Sequence, residues 1–187
     1  MFIAGAREGS LRAQKKLFES YYAYVMSISL RYMATREEAE EVLNDVFLKV
    51  FAKIQSYDSQ FPFKGWLRKI AINSSIDRLR AIRSIPFLTE LTNLIQMPVE
   101  DEAYELDNDQ NVLPLIQKLP PKYRAVFNLY VFEEYKHKEI AKLLGISEGT
   151  SKSNYSRAKN ILKKSLQRKQ EGTRQQDKHL VFKGDAL

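Results

Sequence analysis

The 187-residue sequence has no cysteine and only two histidines, His137 and His179. Disulfides, thiolate metal sites and cysteine nucleophiles are thereby excluded, and two histidines cannot form a metal cluster alone. Glycine (7) and proline (6) are scarce, and alternating valine-rich runs are missing, so little in the chain asks for strands or hairpins. No apolar run approaches the roughly 20 residues that cross a bilayer. The N-terminus also lacks a signal peptide's basic start and apolar middle, and the cytoplasm is the expected location. What is present is 44% hydrophobic and 28% charged, the composition of a folded protein rather than a wholly disordered one.

Lysine and arginine outnumber aspartate and glutamate by 30 to 23, a net charge of +7. A polyanion is the natural partner of such a chain; nucleic acid comes first, with acidic substrates also open. The charge is unevenly spread. Residues 1–83 hold 14 basic and 9 acidic residues (+5), residues 84–117 hold 0 and 7 (−7), and residues 118–187 hold 16 and 7 (+9). Each basic block exceeds the ~60 residues in which a small domain can still bury a core. The expected organisation is an N-terminal domain over 1–83, a flexible acidic linker over 84–111, a C-terminal domain over 112–167 and a solvated tail over 168–187.

Apolar residues recur at helical spacing nearly throughout, so an all-α fold of two small helical domains is expected, the first with three or four helices. Leu11, Phe18, Tyr21, Tyr22, Val25, Ile28 and Tyr32 trace one face of a first long helix. A second begins after Thr35, an N-cap with Glu38 three residues on, and runs to about Ile54. Residues 55–64 read as a loop, and a third helix should run from about Gly65 to Ile82. A short helix could form in the apolar first half of the linker, ahead of the acids between Glu100 and Asp109. Pro120 and Pro121 break one short helix and open another over about 122–133. Two more are expected, over about 136–144 and 147–167.

The segment from His137 to Thr150 has the anatomy of a helix-turn-helix. Ala141 is small where two helices cross, Gly145 permits a positive φ in the turn, and Ile140, Leu144 and Ile146 fill the wedge between them. Ser147 caps the second helix. One side of that helix carries Ser151, Tyr155, Ala158 and Leu162; the other carries Lys152, Ser153, Ser156, Arg157 and Asn160. The polar side suits a major groove, where Arg, Asn and Ser read base edges and Lys meets phosphate. An ordinary helical hairpin would show the same small residue and glycine, but Lys138 and seven other cations crowd around this one. Ser151 stands where a branched apolar residue is usual, and Tyr155 is expected to compensate by packing inward.

Residues 61–80 interleave aromatics with cations, as on a surface that stacks unpaired bases and neutralises phosphates. Phe61, Phe63, Lys64, Trp66, Arg68, Lys69, Asn73 and Arg80 are the candidates. Phe61, Phe63 and Trp66 are equally readable as core aromatics, and a loop can bury Trp66 while exposing Phe61.

Four motifs follow one another in the chain: Ala39-Glu-Glu-Val-Leu-Asn-Asp-Val-Phe; Trp66-Leu-Arg-Lys-Ile-Ala-Ile-Asn with Asp77 and Arg80; Leu119-Pro-Pro-Lys-Tyr-Arg-Ala-Val-Phe; and Glu139-Ile-Ala-x-x-Leu-Gly-Ile-Ser-Glu-Gly-Thr-x-Lys-Ser with Arg157-Ala158. In this order they resemble a bacterial RNA polymerase sigma factor of the extracytoplasmic-function (ECF) group, over about residues 5–83 and 112–167. Asn44 stands where that family commonly has glutamine. The resemblance implies that Leu43, Asp45, Val46 and Phe47 dock on the clamp helices of the beta-prime subunit, although most of that helix's apolar stripe must be core. It implies that the loop over about 56–65 and the helix after it handle the minus-10 element as it melts, that the helix-turn-helix reads the minus-35 element as duplex, and that helices over 112–132 meet the beta-subunit flap. It further implies that the acidic linker threads the polymerase's nucleic-acid channel. An anti-sigma factor is a common partner in that family, but no motif here names one.

The function so implied is promoter recognition and melting on behalf of core polymerase, with no catalytic residue, metal or cofactor. The alternative is a helix-turn-helix transcription regulator with an N-terminal dimerisation or sensor domain. A metal-dependent nuclease would need clustered carboxylates, and Glu37, Glu38, Glu40 and Glu41 are better explained by the dipole of the helix they begin.

Overall fold

Thr35 starts a helix by satisfying the donors that a first turn leaves open. Its hydroxyl accepts from the Glu38 amide at 3.2 Å, and the Glu38 carboxylate reaches back to accept from the Ala34 amide at 2.9 Å. The computed structural model describes residues 2–83 and 112–181, with side chains over 2–81 and 112–168. Among the described residues every regular element is helical. In chain order these are α1 (Phe2–Arg7), α2 (Leu11–Tyr32), α3 (Arg36–Lys53), a single 3-10 turn (Ile54–Ser56), α4 (Phe63–Arg83), α5 (Leu113–Gln117), α6 (Pro121–Val131), α7 (His137–Leu144) and α8 (Glu148–Val181). The chain divides into two compact units, Met1–Gln96 and Met97–Leu187. The linker helix and acidic stretch expected within 84–111 lie outside the described residues.

In the first unit α2, α3 and α4 pack against one another around Val25, Ile28, Tyr32, Val42, Val46, Val50, Leu67, Ile72 and Ile76, all buried. Burying each such side chain contributes about 1.5–3 kcal/mol, so the helical spacing of these residues dictates the packing. Leu11 departs from the expected apolar face: it is 80% exposed. A helix that the sequence reading did not foresee, α1, packs on the start of α2. Gly5 makes this possible, because a Cβ there would stand 2.9 Å from the Ala13 Cβ.

α4 starts at Phe63, two residues earlier than expected. The Pro62 carbonyl accepts from the Gly65 and Trp66 amides, at 3.0 and 3.4 Å, so the proline opens the helix rather than ending the loop before it.

The second unit packs α6 and α7 against α8 around Ile116, Leu119, Val126, Leu129, Ile140, Ala158 and Leu162. α6 begins at Pro121, at the position where a missing N–H costs nothing. Arg124, buried, donates to the Gln117 carbonyl at 3.0 Å and ties α6 to the end of α5. Gly145 closes α7 in the left-handed conformation, φ 66°, which an L side chain adopts only under strain. α8 corrects one expectation: the helix runs through residue 168 and on to Val181. Residues 168–181 lose the apolar stripe but contain no proline and are rich in Arg, Lys and Gln, which favour helix without a packing face.

Candidate nucleic-acid interfaces

The turn between α7 and α8 fixes which residues of α8 can meet another molecule. Ser147 Oγ accepts from the Thr150 amide at 3.0 Å, so the helix is capped where the sequence placed the cap. Ser151, Tyr155, Ala158 and Leu162 are buried, as the helical wheel required. Opposite them Lys152 is exposed and Ser153, Ser156, Arg157 and Asn160 are half-buried, while Lys138 is exposed on α7. The polar side of α8 is therefore partly open to solvent from Lys152 to Asn160.

Two contacts constrain that face. Lys152 Nζ lies 2.9 Å from Glu148 Oε1, one turn earlier. The hydrogen bond from Lys152 holds the Glu148 carboxyl below the usual range, helped by the charges of Lys152, His137 and Lys138. Arg157 turns toward α6, where its Nη1 donates to the Tyr123 hydroxyl at 3.2 Å and its guanidinium lies 6.0 Å from the ring centre. The sequence reading missed both Glu148 and Tyr123. Spacing by four could have revealed Glu148; nothing local could reveal Tyr123, 34 residues away.

In the first unit the loop before α4 separates two phenylalanines that the sequence reading grouped together. Phe61 is 65% exposed, whereas Phe63 is 5% exposed. Phe63 packs on Tyr21 and Tyr57, both at 5.2 Å between ring centres, and on Trp66 at 5.5 Å. This corrects its place as a base-contacting residue: Phe63 is core, and the exposed ring is that of Phe61. Trp66 is half-buried in the same cluster, and Lys64 is exposed with its ammonium 4.5 Å from the Tyr24 ring centre. Along α4, Lys69, Asn73 and Arg80 are exposed on one stripe and Arg68 is half-buried beside it. Asp77 interrupts the stripe, with Lys49 of α3 at 3.5 Å and Arg80 at 3.6 Å.

Tyr57 was not singled out by sequence. It is buried, and its hydroxyl donates to the Phe61 carbonyl across the loop.

α3 yields a second correction. Leu43, Val46 and Phe47 are all buried, because α2 and α4 consume the apolar stripe. Of the four residues expected at the polymerase, Asp45 alone is exposed, flanked by Asn44 and by Leu48. Leu48, 68% exposed, is a large apolar side chain with no place in the core. At the other end of this helix Glu37 is held below the usual carboxylate range, first by hydrogen bonding to its own backbone amide and then by Thr35.

Among the described residues no three histidine, aspartate or glutamate side chains gather as a metal site, and no helix is long and apolar enough to cross a membrane.

Comparison with known proteins assigns both units. Residues 17–85 match sigma-70 region 2 and residues 109–162 match sigma-70 region 4, together well over half of the chain. The ECF RNA polymerase sigma factor SigW of Bacillus subtilis is 28% identical over 176 residues, covering 88% of this chain and 94% of that protein. The ECF RNA polymerase sigma factor SigM of the same organism is 27% identical over 150 residues, covering 79% and 91%. Among solved structures, the sigma factor RpoE of Bartonella quintana, in complex with the anti-sigma factor NepR, is 20% identical over 82% of this chain and 96% of that one, with a TM-score of 0.49. With regions 2 and 4 in one chain, in order, and full-length relatives of the same kind, this protein belongs to the sigma-70 family of RNA polymerase sigma factors, in its ECF group.

Proposed function

We propose that the two units divide promoter recognition between them. As a sigma factor the chain binds core RNA polymerase and brings it to promoters. The polar side of α8, with Lys152, Ser153, Ser156, Arg157 and Asn160, reads the minus-35 element as duplex, and Lys138 neutralises a neighbouring phosphate. The loop carrying Phe61, with Lys64 and the α4 stripe of Lys69, Asn73 and Arg80, receives the minus-10 strand as it opens. There an exposed aromatic ring and nearby cations offset the unstacking of a base, a cost of a few kcal/mol. Asp45 and Leu48 on the outer side of α3 form the polymerase-docking edge. The protein performs no chemistry of its own and works in the cytoplasm, where its polymerase is. An anti-sigma factor that covers these surfaces is its expected regulator.

The observation that carries this reading is the pairing of regions 2 and 4 in one chain, each with an exposed helix face rich in cations and hydrogen-bonding groups. A regulator with a sensor domain would need only the second. The deciding experiment is promoter-dependent run-off transcription with purified core enzyme on fragments of its own genome. Transcripts starting at discrete sites, absent without the protein, are expected. A palindromic footprint formed without polymerase, and no transcript, would instead favour the regulator.

A further inference from the structure

Arg7 makes an unusual set of contacts for a residue at the end of a six-residue helix. Its Nε donates to the Ile54 carbonyl at 3.1 Å, its Nη2 donates to the Tyr57 carbonyl, and its guanidinium lies 5.5 Å from the Tyr57 ring centre. In return the Gln55 side-chain amide donates to the Arg7 carbonyl. One arginine thus holds both ends of the segment by which α3 passes into the loop. Its partners lie 47 and 50 residues away, so the contact belongs to the tertiary fold alone.

The next link is Tyr57. Its ring packs on Phe63 and Trp66, at 5.2 and 5.3 Å, and its hydroxyl closes the loop by donating to the Phe61 carbonyl. Phe61 is 65% exposed, whereas Tyr57 and Phe63 are buried and Trp66 is half-buried. Backbone anchored by Arg7, ring anchored by the core and hydroxyl anchoring Phe61 make a continuous path from α1 to the exposed ring. Arg7 lies outside residues 17–85, the stretch that matches region 2.

We propose that Arg7 and Tyr57 form a clamp that presets the loop for strand capture, so that Phe61 is presented to an unstacked base before DNA arrives. Arg7 and Tyr57 are positioning residues, acting through Phe61 and touching no base themselves. The physical gain is preorganisation: a loop already held in its binding geometry loses little conformational freedom when the strand docks. The inference rests on the reading of this loop as the minus-10 element, and the experiment separates the two.

Full-length protein carrying Arg7→Met, Arg7→Lys, Tyr57→Phe, Arg7→Met with Tyr57→Phe, or Phe61→Ala is assembled with core polymerase. The probe is a promoter fragment recovered in the run-off assay. Polymerase affinity, thermal unfolding and permanganate reactivity of unpaired thymines are measured on each, below the unfolding temperature of every variant. Opening should fall by about tenfold in Arg7→Met and Tyr57→Phe, the loss expected when a loop no longer held in its binding geometry must be ordered as the strand docks. Polymerase affinity should stay within about twofold, a free-energy change too small to indicate a lost contact. Arg7→Lys should recover part of the loss, and the double variant should lose no more than the larger single one, because the residues act in series. Unchanged opening in Arg7→Met, or opening and polymerase affinity falling together with the folded unit, would overturn the clamp. Unchanged opening in Phe61→Ala would instead overturn the reading of the loop, whatever Arg7 does.

Discussion

His137 Nδ1 lies 2.9 Å from the Ser151 hydroxyl, joining the first residue of α7 to the first turn of α8. Ser151 is fully buried where a helix-turn-helix usually has a branched apolar residue, and a buried hydroxyl without a partner would be costly. The histidine supplies that partner, while its ring stacks on Tyr130 at 4.6 Å. Tyr155 packs inward beside them, 4.5 Å from Tyr130. Ser151→Ala should therefore destabilise the second unit by about 1 kcal/mol. Chemical denaturation followed by the circular dichroism of the whole chain, compared with the same change at exposed Ser27, checks it.

Arg157 and Tyr123 bear on discrimination. If Arg157 reads a base edge, Arg157→Ala should cost about 1–3 kcal/mol at one base pair of the minus-35 element and little elsewhere. Competition binding across single-base variants gives the profile; a uniform loss would make Arg157 a phosphate contact. Tyr123→Phe keeps the ring but removes the acceptor that now orients the guanidinium, and should blunt discrimination at the same base pair only.

Phe61 and Phe63 should part company under mutation. Phe63→Ala removes a buried ring and should destabilise the first unit by about 3–5 kcal/mol. Phe61→Ala, at an exposed position, should leave denaturant midpoints unchanged and reduce promoter opening. Equal effects on stability would place both rings in the core.

On α3, Leu48→Glu should weaken assembly with core polymerase while the unfolding temperature stays where it was, since the leucine is solvent-facing. Leu43→Ala should do the reverse at the level of cause, destabilising the unit by about 2–5 kcal/mol through a cavity. Assembly measured by competition against wild type, beside thermal unfolding, distinguishes the two.

Glu148 carries a pH dependence. Its folded pKa is depressed, so the ionised pair with Lys152 is intact above the usual carboxylate range and is lost as pH falls through the depressed value. Nuclear magnetic resonance titration of the Glu148 carboxyl carbon should show a midpoint below that of an ordinary glutamate. In Lys152→Met the midpoint should rise toward the ordinary value, because the leading cause of the shift is gone.

The helices themselves were legible because they depend on residues close in sequence. Thr35 with Glu38, Pro121 and Gly145 mark helix ends through contacts or dihedral preferences within four residues. The apolar spacing of α3 and α8 likewise announced which sides would be buried, and the helix-turn-helix followed from both. Motif order was enough to identify the family.

Tertiary packing decided the rest. In α3 the motif names Leu43, Val46 and Phe47, but packing by α2 and α4 buries them and leaves Asp45 and Leu48 outside. Phe61 and Phe63 differ by two positions and carry the same ring, and only the aromatic cluster around Tyr57 separates surface from core. Contacts such as Arg157 with Tyr123 and Arg7 with Tyr57 span 34 and 50 residues. Local spacing fixes a helix and its apolar side, whereas a contact across such intervals exists only once separate helices have packed and brought its two ends together.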